Sequence, residues 1–188
     1  MRIYFVRVNG PTTHDNPKNK DCFVATEPES FKRDGYSNYL NYCFENNIVR
    51  IGWPDVGDLR TNNRQGAKAN CYTLLTIKPH IHKYLLEFCN IQRGSIIIVP
   101  DRDNSGDVYI SEVSRPYSYD SSGPYECSHR VGVRWDRDNQ GRPILYTSEQ
   151  LGISKGGWWL RAFQEIRELK LISKITAARE RNTGRLGE

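Results

Sequence analysis

The sequence predicts an α+β domain: a small, strongly bent, mixed β-barrel of five or six strands with helices packed on its outside. Three observations support this class. Short runs rich in β-branched residues recur along the chain, and several of them alternate between apolar and polar residues as half-buried strands do. Two or three segments carry apolar residues at helical spacing. The strands are too short and the helices too few for a doubly wound parallel sheet.

The clearest predicted element is a β-hairpin over residues 94–113. Residues 95–99 are an apolar run rich in β-branched side chains, and residues 108–113 alternate between apolar and polar. The intervening residues 101–107 are mostly Asp, Asn, Ser and Gly, which tolerate turn conformations. Because the first strand reads as buried on both faces, we expect the rest of the chain to cover it.

The turn of this hairpin resembles an EF-hand calcium loop. Its ligand positions would be filled by Asp101, Asp103, Ser105 and Glu112. An EF-hand loop joins two helices, however, whereas the run before Asp101 is a poor helix and a good strand. A near copy of the loop, residues 136–141, also follows a predicted strand and lacks the last acidic ligand. We therefore interpret both loops as hairpin turns and expect no metal; a calcium-binding structural domain is the alternative.

The other predicted elements surround this hairpin. Strands are predicted at residues 2–8, 48–53 and 129–135, and residues 21–25 and 144–146 carry weaker signals for short strands. Helices are predicted at residues 37–46, 80–89 and 160–173. Long surface loops are predicted at residues 55–69 and 114–128. Residues 1–175 then form one domain, and residues 176–188 form a charged linker or tail that would lead to a further domain.

Composition and charge narrow the class of protein. The net charge of +5 and the pI of about 9.0 favour a polyanionic partner, nucleic acid before membrane. Five unevenly spaced cysteines without a CxxC pair indicate reduced thiols rather than zinc ligands. No secretion signal or membrane-spanning run is recognisable, so we expect a cytoplasmic protein without a membrane partner.

No familiar catalytic motif is present. The sequence lacks GxSxG, a P-loop and HExxH. A metal-dependent nuclease of the PD…(D/E)xK kind would need a nearby acid and lysine, but the pair formed by Glu168 and Lys170 lies far from Asp55 and Asp101. We expect no catalytic activity within the chain and no cofactor. A nuclease or other enzyme with an unrecognised site stays open as an alternative.

Aromatic and basic residues suggest binding instead. Trp53 ends a predicted strand and Asp55 follows it. An aromatic wall and a carboxylate at this place would suit a base, because the indole stacks and the carboxylate accepts from an exocyclic amine. The neighbouring loop is basic. We predict that phosphates are held by Arg50, Arg60, Arg64 and Lys68, with Arg130 and Arg134 as weaker candidates.

Four segments together resemble the PUA-like superfamily, in particular its EVE and YTH-like branch. They are IYFVRV, IVRIGWPDVGDLR, GSIIIVPDRDNSGDVYISEV and HRVGVRW. The resemblance rests on the order and character of the segments and covers most of residues 1–171. It implies a compact β-barrel with flanking helices and a pocket that sandwiches a flipped, modified base between aromatic rings. Bacterial members often precede the nuclease domain of modification-dependent restriction enzymes, which implies such a downstream domain here.

The resemblance also implies site residues. Trp53 matches one wall of the aromatic cage and Trp158 a second wall, while polar and aromatic pocket positions match Tyr36, Ser37 and Asn38. The expected function is therefore a DNA-binding reader of a methylated or hydroxymethylated base in double-stranded DNA, which targets a restriction enzyme. An RNA-binding module with the same pocket is the alternative, although the long Arg- and Asn-containing loop departs from the eukaryotic RNA readers.

Overall fold

The structure is a computed structural model that describes residues 1–6, 39–51, 58–60, 79–101, 106–120, 122, 129–152 and 163–183, without the side chains of residues 79–82. The strands are β1 (Ile3–Val6), β2 (Ile48–Ile51), β3 (Ile96–Pro100), β4 (Val108–Tyr119), β5 (His129–Trp135), β6 (Leu145–Tyr146) and β7 (Phe163–Ile166). The helices are α1 (residues 39–46), α2 (Pro79–Cys89), α3 (Ser148–Leu151) and α4 (Leu169–Thr183).

The strands form one open, mixed sheet of seven strands. Six of them follow the order β2-β5-β4-β3-β1-β7, and β6 pairs with β4 off this path. Only the β1–β3 pair is parallel among the described pairs. The α+β class is thus confirmed. The described sheet has one or two more strands than predicted, and its two edge strands, β2 and β7, do not pair with each other.

Helices cover both faces of this sheet. In β1, Ile3 and Phe5 pack with the α4 side chains, whereas Tyr4 and Val6 pack on the opposite face with α1 and α2. This division follows from the alternation of side chains along a strand. Because each face has its own apolar cluster, the central strands are buried on both sides, as residues 96–100 predicted.

The predicted central hairpin is confirmed. Strand β3 pairs antiparallel with β4, from Ile96 opposite Glu112 to Pro100 opposite Val108. The backbone N–H of Asp101 donates to the carbonyl of Asp107 at 2.8 Å and closes the turn. Both flanking elements are strands, which is the context of a hairpin and not of an EF-hand.

The second acidic turn is also built by its own side chains. The Asp138 carboxylate accepts from the backbone N–H groups of Gln140 and Arg142, each at 2.9 Å, and Gly141 takes a φ of +78° that suits glycine. The following strand β6 pairs with β4 rather than with β5. The turn therefore redirects the chain across the end of the sheet.

Most of the other predicted elements that lie in the described residues are also found. They are the strands at β1, β2, β5 and β6 and the helices at α1 and α2. The strand predicted at residues 21–25 lies outside the described residues. No helix in the described part of the chain combines the length and the hydropathy that crossing a membrane requires.

The helix predicted over residues 160–173 is wrong for residues 163–166, which form strand β7. Phe163 and Ile166 suggested a helix because residues three apart share a helical face. In a strand, the same spacing places them on opposite faces, and both faces of this sheet are covered. Phe163 packs in the α1–α2 cluster and Ile166 in the α4 cluster. Burial on both faces thus produces the same apolar spacing as a helix.

The charged tail predicted from residue 176 differs as well. Helix α4 continues to Thr183, with Ile175 and Ala178 fully buried against the sheet. Arg179 donates from Nε and Nη2 to the Asp136 carboxylate, both at 2.8 Å, and this carboxylate also accepts from the Tyr146 hydroxyl at 3.0 Å. Residues 176–183 therefore belong to the folded domain.

The loop predicted at residues 114–128 is a strand in its first part. Strand β4 runs to Tyr119 and contains Pro116, which has no N–H to donate to a neighbouring strand. Register shifts between Val113 and Arg115, and again between Arg115 and Tyr117, accommodate it. The proline suggested a loop because sequence alone does not reveal these irregularities.

The ion pair between Arg179 and Asp136 yields a stability prediction. The side chains of Arg179 and Asp136 are only 14% and 3% exposed, so Arg179→Ala would leave a buried carboxylate poorly compensated. We expect the free energy of unfolding in urea to fall by about 3 kcal/mol. The matched control Arg167→Ala breaks the pair with Glu165, in which Arg167 is 84% exposed, and should cost about 0–1 kcal/mol. Equal effects of the two variants would contradict a structural role for the end of α4.

Candidate functional site

An aromatic and polar cluster lies where β2, β4 and β5 meet, and we call it the Tyr117–His129 cluster. It comprises Asp58, Leu59, Arg60, Cys89, Tyr117, Tyr119 and His129. Tyr117 Oη and His129 Nδ1 share a hydrogen bond of 2.7 Å, and their rings stack with centroids 5.9 Å apart. The Tyr119 ring meets His129 edge-on at 5.4 Å. His129 is fully buried, so these contacts fix the orientation of the imidazole ring.

The chain reaches this cluster from both sides of residues 52–57. On one side, Ile51 is the cross-strand partner of His129. On the other, the Leu59 N–H donates to Tyr117 Oη at 3.5 Å, and the Arg60 guanidinium lies 5.9 Å from the centre of the Tyr117 ring. The residues on either side of the 52–57 segment therefore both contact the Tyr117–His129 pair.

Asp58 and Arg60 form the charged rim of the cluster. Arg60 Nη2 donates to Asp58 Oδ2 at 2.6 Å, and Arg60 Nε lies within 3.2 Å of both carboxylate oxygens. This hydrogen bonding is the main reason why the pKa of Asp58 is lowered and that of Arg60 raised. Because the Arg60 side chain is 55% exposed, the pair is accessible to a ligand from solvent.

Two acidic groups on the inner side of the cluster, the Cys89 thiol and the Tyr117 hydroxyl, stay protonated at neutral pH. Burial raises the pKa of the Cys89 thiol to about 12, and it raises the pKa of Tyr117 as well. Cys89 is a free thiol, but a protonated thiol is a poor nucleophile. The described residues contain no group of three or more acid, His or Cys side chains that could hold a metal ion. The cluster thus offers aromatic rings and hydrogen bonds, which suit recognition better than covalent catalysis.

The structure places four of the predicted phosphate-binding arginines. Arg50 is fully buried in β2, with its guanidinium 5.3 Å from the centre of the Tyr42 ring, and is the cross-strand partner of Arg130. Arg130 bonds to Ser118 and to Asp120, and Arg134 bonds to Glu112 at 2.9 Å. Arg60, Arg130 and Arg134 thus pair with carboxylates near the surface, whereas the Arg50 side chain does not reach solvent.

The two described residues of the calcium-like loop do not form a ligand set. Asp101 is buried at the end of β3. Glu112 lies on β4 opposite Ile96, and its carboxylate faces Arg134 at 2.9 Å and Arg179 at 3.9 Å. A carboxylate that pairs with two guanidinium groups is already neutralised and is a poor metal ligand. The other two, Asp103 and Ser105, lie outside the described residues.

The predicted base pocket also lies outside the described residues. This holds for Tyr36, Ser37, Asn38, Trp53, Asp55 and Trp158, and for the basic residues Arg64 and Lys68.

Sequence reasoning missed the residues of the cluster on β4 and β5. The alternation of Arg115, Tyr117 and Tyr119 was a strand signal, but Pro116 and the turn residues that follow Tyr119 favoured a loop. His129 was the first residue of a predicted strand, with nothing in the sequence to indicate its contact with Tyr117. Such a contact depends on the register of β4 against β5.

One family matches the sequence. It is described as a domain of unknown function (DUF8426), and the match covers residues 30–153, more than half of the chain. The matched range contains the whole Tyr117–His129 cluster and the paired arginines of β5, whereas β1, β7 and α4 lie outside it. No curated protein matches the chain.

The protection of Cys89 is directly testable. A pKa of about 12 against the ordinary 9.0 lowers the thiolate fraction at pH 8 by about a thousand-fold. We therefore expect iodoacetamide to alkylate Cys89 far more slowly in the folded protein than in urea, as followed by mass spectrometry of its peptide. Similar rates in both conditions would show that burial does not protect the thiol.

The Asp58–Arg60 pair makes a prediction about pH. The pKa of Asp58 is lower in the folded state, so the pair stabilises the fold above the ordinary value of 3.8, and this contribution is lost as the pH falls through the lowered pKa. Arg60→Gln should raise the pKa of Asp58, measured by carboxyl NMR. Arg142→Gln is the matched control: it should raise the pKa of Asp138 less, because backbone donation from Arg142 is the largest cause there. A larger shift at Asp138 would contradict this account.

Proposed function

We propose that this chain, which belongs to the DUF8426 family of domains of unknown function, is a DNA-binding reader that recognises a modified base. The observation that carries the proposal is the Tyr117–His129 cluster with its Arg60 rim. It joins buried aromatic rings, a cation and hydrogen-bonding groups beside the ends of the segment that contains Trp53 and Asp55.

The finer fold assignment belongs to the same proposal. We infer a PUA-like barrel, in which the bent β4 carries the sheet around a core that faces α1 and α2. Two features support it: along one edge β4 pairs first with β6 and then with β5, and register shifts at two points increase its local twist. The loops at the strand ends would then surround the pocket mouth.

The energetics of base recognition fit this chemistry. Extruding a base from a duplex costs a few kcal/mol of lost stacking and pairing. Stacking on an aromatic side chain returns about 1–3 kcal/mol per base, and Trp53 is the residue that we assign to this role. Asp55 would accept a hydrogen bond from the exocyclic amine or ring N–H of the base. A methyl or hydroxymethyl group on the base adds apolar contact that an unmodified base lacks.

In this proposal, the Tyr117–His129 cluster supports the residues that form the pocket. Tyr117 and His129 are held by their mutual hydrogen bond, so they form a rigid base for the neighbouring segment. The exposed guanidinium of Arg60 would meet the phosphate next to the flipped nucleotide. Phosphate would compete with Asp58 for this guanidinium. Because each phosphate contact releases counterions, binding should weaken as the salt concentration increases. A nuclease domain, joined or bound, would use such a reader to cut modified DNA.

The test is a binding assay with matched duplexes. Fluorescence anisotropy would compare unmodified DNA with duplexes that carry 5-methylcytosine, 5-hydroxymethylcytosine or N6-methyladenine. We expect tighter binding to at least one modified duplex and loss of that preference, by about ten-fold or more, in Trp53→Ala. Trp53→Phe retains an aromatic face and should retain part of the preference.

Two controls separate the pocket from the backbone contacts. Arg60→Ala should weaken binding to every duplex alike, whereas Arg142→Ala, which removes an exposed arginine paired with Asp138, should leave binding unchanged. Thermal denaturation of each variant checks that it folds. Equal affinity of the wild-type protein for all duplexes would refute base reading, and preference for modified RNA over DNA would favour the RNA-binding alternative.

A further inference from the structure

The side chain of Arg115, on β4, lies over residue 132 of β5, and only glycine at residue 132 leaves room for it. Its cross-strand partner is Gly132, which is buried. A Cβ atom added at Gly132 would lie 2.5 Å from Arg115 Nε and 2.7 Å from Arg115 Cβ, closer than real Cβ contacts. The absence of a side chain at Gly132 therefore lets the Arg115 side chain lie against the backbone of β5.

Two register shifts give Arg115 this direction. In a regular strand, Val113, Arg115 and Tyr117 would point to the same face. Here Val113 lies opposite Val133 and Tyr117 opposite Val131, and all four pack in the core next to α1 and α2. The extra residue on each side of Arg115 places it opposite Gly132 instead, away from this core. Bulges of this kind commonly re-aim a side chain near a functional site.

The same face of β5 carries two more arginines. Arg130 and Arg134 stand two residues before and after Gly132, so their backbone positions follow one another with Gly132 at steps of roughly 7 Å. We call Arg115, Arg130 and Arg134, with Gly132 between them, the arginine face. Arg115 is exposed, and the Arg134 side chain is 60% exposed.

Positive charge is in excess on the arginine face. Arg130 is paired with Asp120, and Arg134 is paired with Glu112, a carboxylate that also faces Arg179. Arg115 has no ion pair with any residue in the described part of the chain. An exposed guanidinium that pairs with no carboxylate among the described residues is suited to an anionic ligand.

We propose that the arginine face binds the phosphate backbone of the nucleic acid whose base enters the pocket, with Arg115 as the central contact and Gly132 as the residue that positions it. This inference rests on the proposed function, because it assigns a second contact surface to the same ligand. Arg130 and Arg134 are spaced along β5, and Arg115 of β4 lies over Gly132 between them, so the three suit a run of successive phosphates better than a single anion.

The first experiment measures the salt dependence of DNA binding. Removing one phosphate contact lowers the slope of log affinity against log salt by about one. We expect this change in Arg115→Ala, with about ten-fold weaker binding to modified and unmodified duplexes alike. Arg115→Lys keeps the charge and should keep most of the slope. Arg167→Ala, at the opposite edge of the sheet beside β7, is the control and should bind as the wild-type protein does.

The second experiment tests the positioning role of Gly132. Gly132→Ala should displace the Arg115 side chain and weaken binding, provided that thermal denaturation shows a folded protein. In an Arg115→Gly background, which removes the Arg115 Cβ as well as the guanidinium, the same substitution should have no further effect on affinity. Additive effects on affinity would assign Gly132 a purely structural role.

The outcomes separate this inference from the function on which it rests. Binding to DNA with an unchanged salt slope in Arg115→Ala overturns the arginine face and leaves base reading intact. Failure to bind any DNA or RNA overturns both. Binding of polyglutamate, lost in Arg115→Ala, without binding of nucleic acid would assign the face to an acidic protein segment and would overturn the proposal.

Discussion

Strand β4 pairs with three other strands, and this constraint determines how the described part of the molecule is arranged. Its first residues pair with β3 on one side and with β6 on the other, and its later residues pair with β5. A strand that changes partners along its length must bend and twist, and the register shifts around Arg115 provide both. The same shifts keep Val113 and Tyr117 in the core while Arg115 turns outward. Core packing and surface charge are therefore set by one local irregularity of the backbone.

Buried and exposed charges have separate roles in this arrangement. Arg179, Asp136 and Tyr146 form a largely buried network that attaches α4 to the end of β5. Such a network fixes how α4 packs against the end of β5, because either charge alone would be costly to bury. Exposed pairs such as Arg60 with Asp58 contribute little to stability, and a phosphate can replace the carboxylate at modest cost. Arg60 and Arg134 are therefore held by exposed pairs, whereas Arg179 belongs to the buried network.

The sequence predicted the elements whose local pattern agrees with their final environment. The hairpin of β3 and β4, the strand β5 and the helix after Pro79 were predicted because alternation, β-branched residues and turn residues all agreed. Strand β7 was mistaken for a helix because burial on two faces gives the same spacing as burial on one helical face. The end of β4 was mistaken for a loop because Pro116 is allowed there only by a register shift. For the site, the sequence indicated the aromatic and basic character of the segment around Trp53, but it could not reveal that Tyr117 and His129 lie beside the ends of that segment.

The chemistry of the Tyr117–His129 cluster favours recognition over catalysis. A nucleophile needs a lowered pKa, yet burial raises the pKa of the Cys89 thiol, and Tyr117 shifts in the same direction. The hydrogen bond between Tyr117 and His129 is internal to the fold, so it holds ring orientations rather than presenting a base to solvent. The exposed groups around it are guanidinium ions, which bind anions but do not transfer protons at neutral pH. The cluster thus combines fixed aromatic rings with a guanidinium group at its rim, which supports the recognition role that we propose.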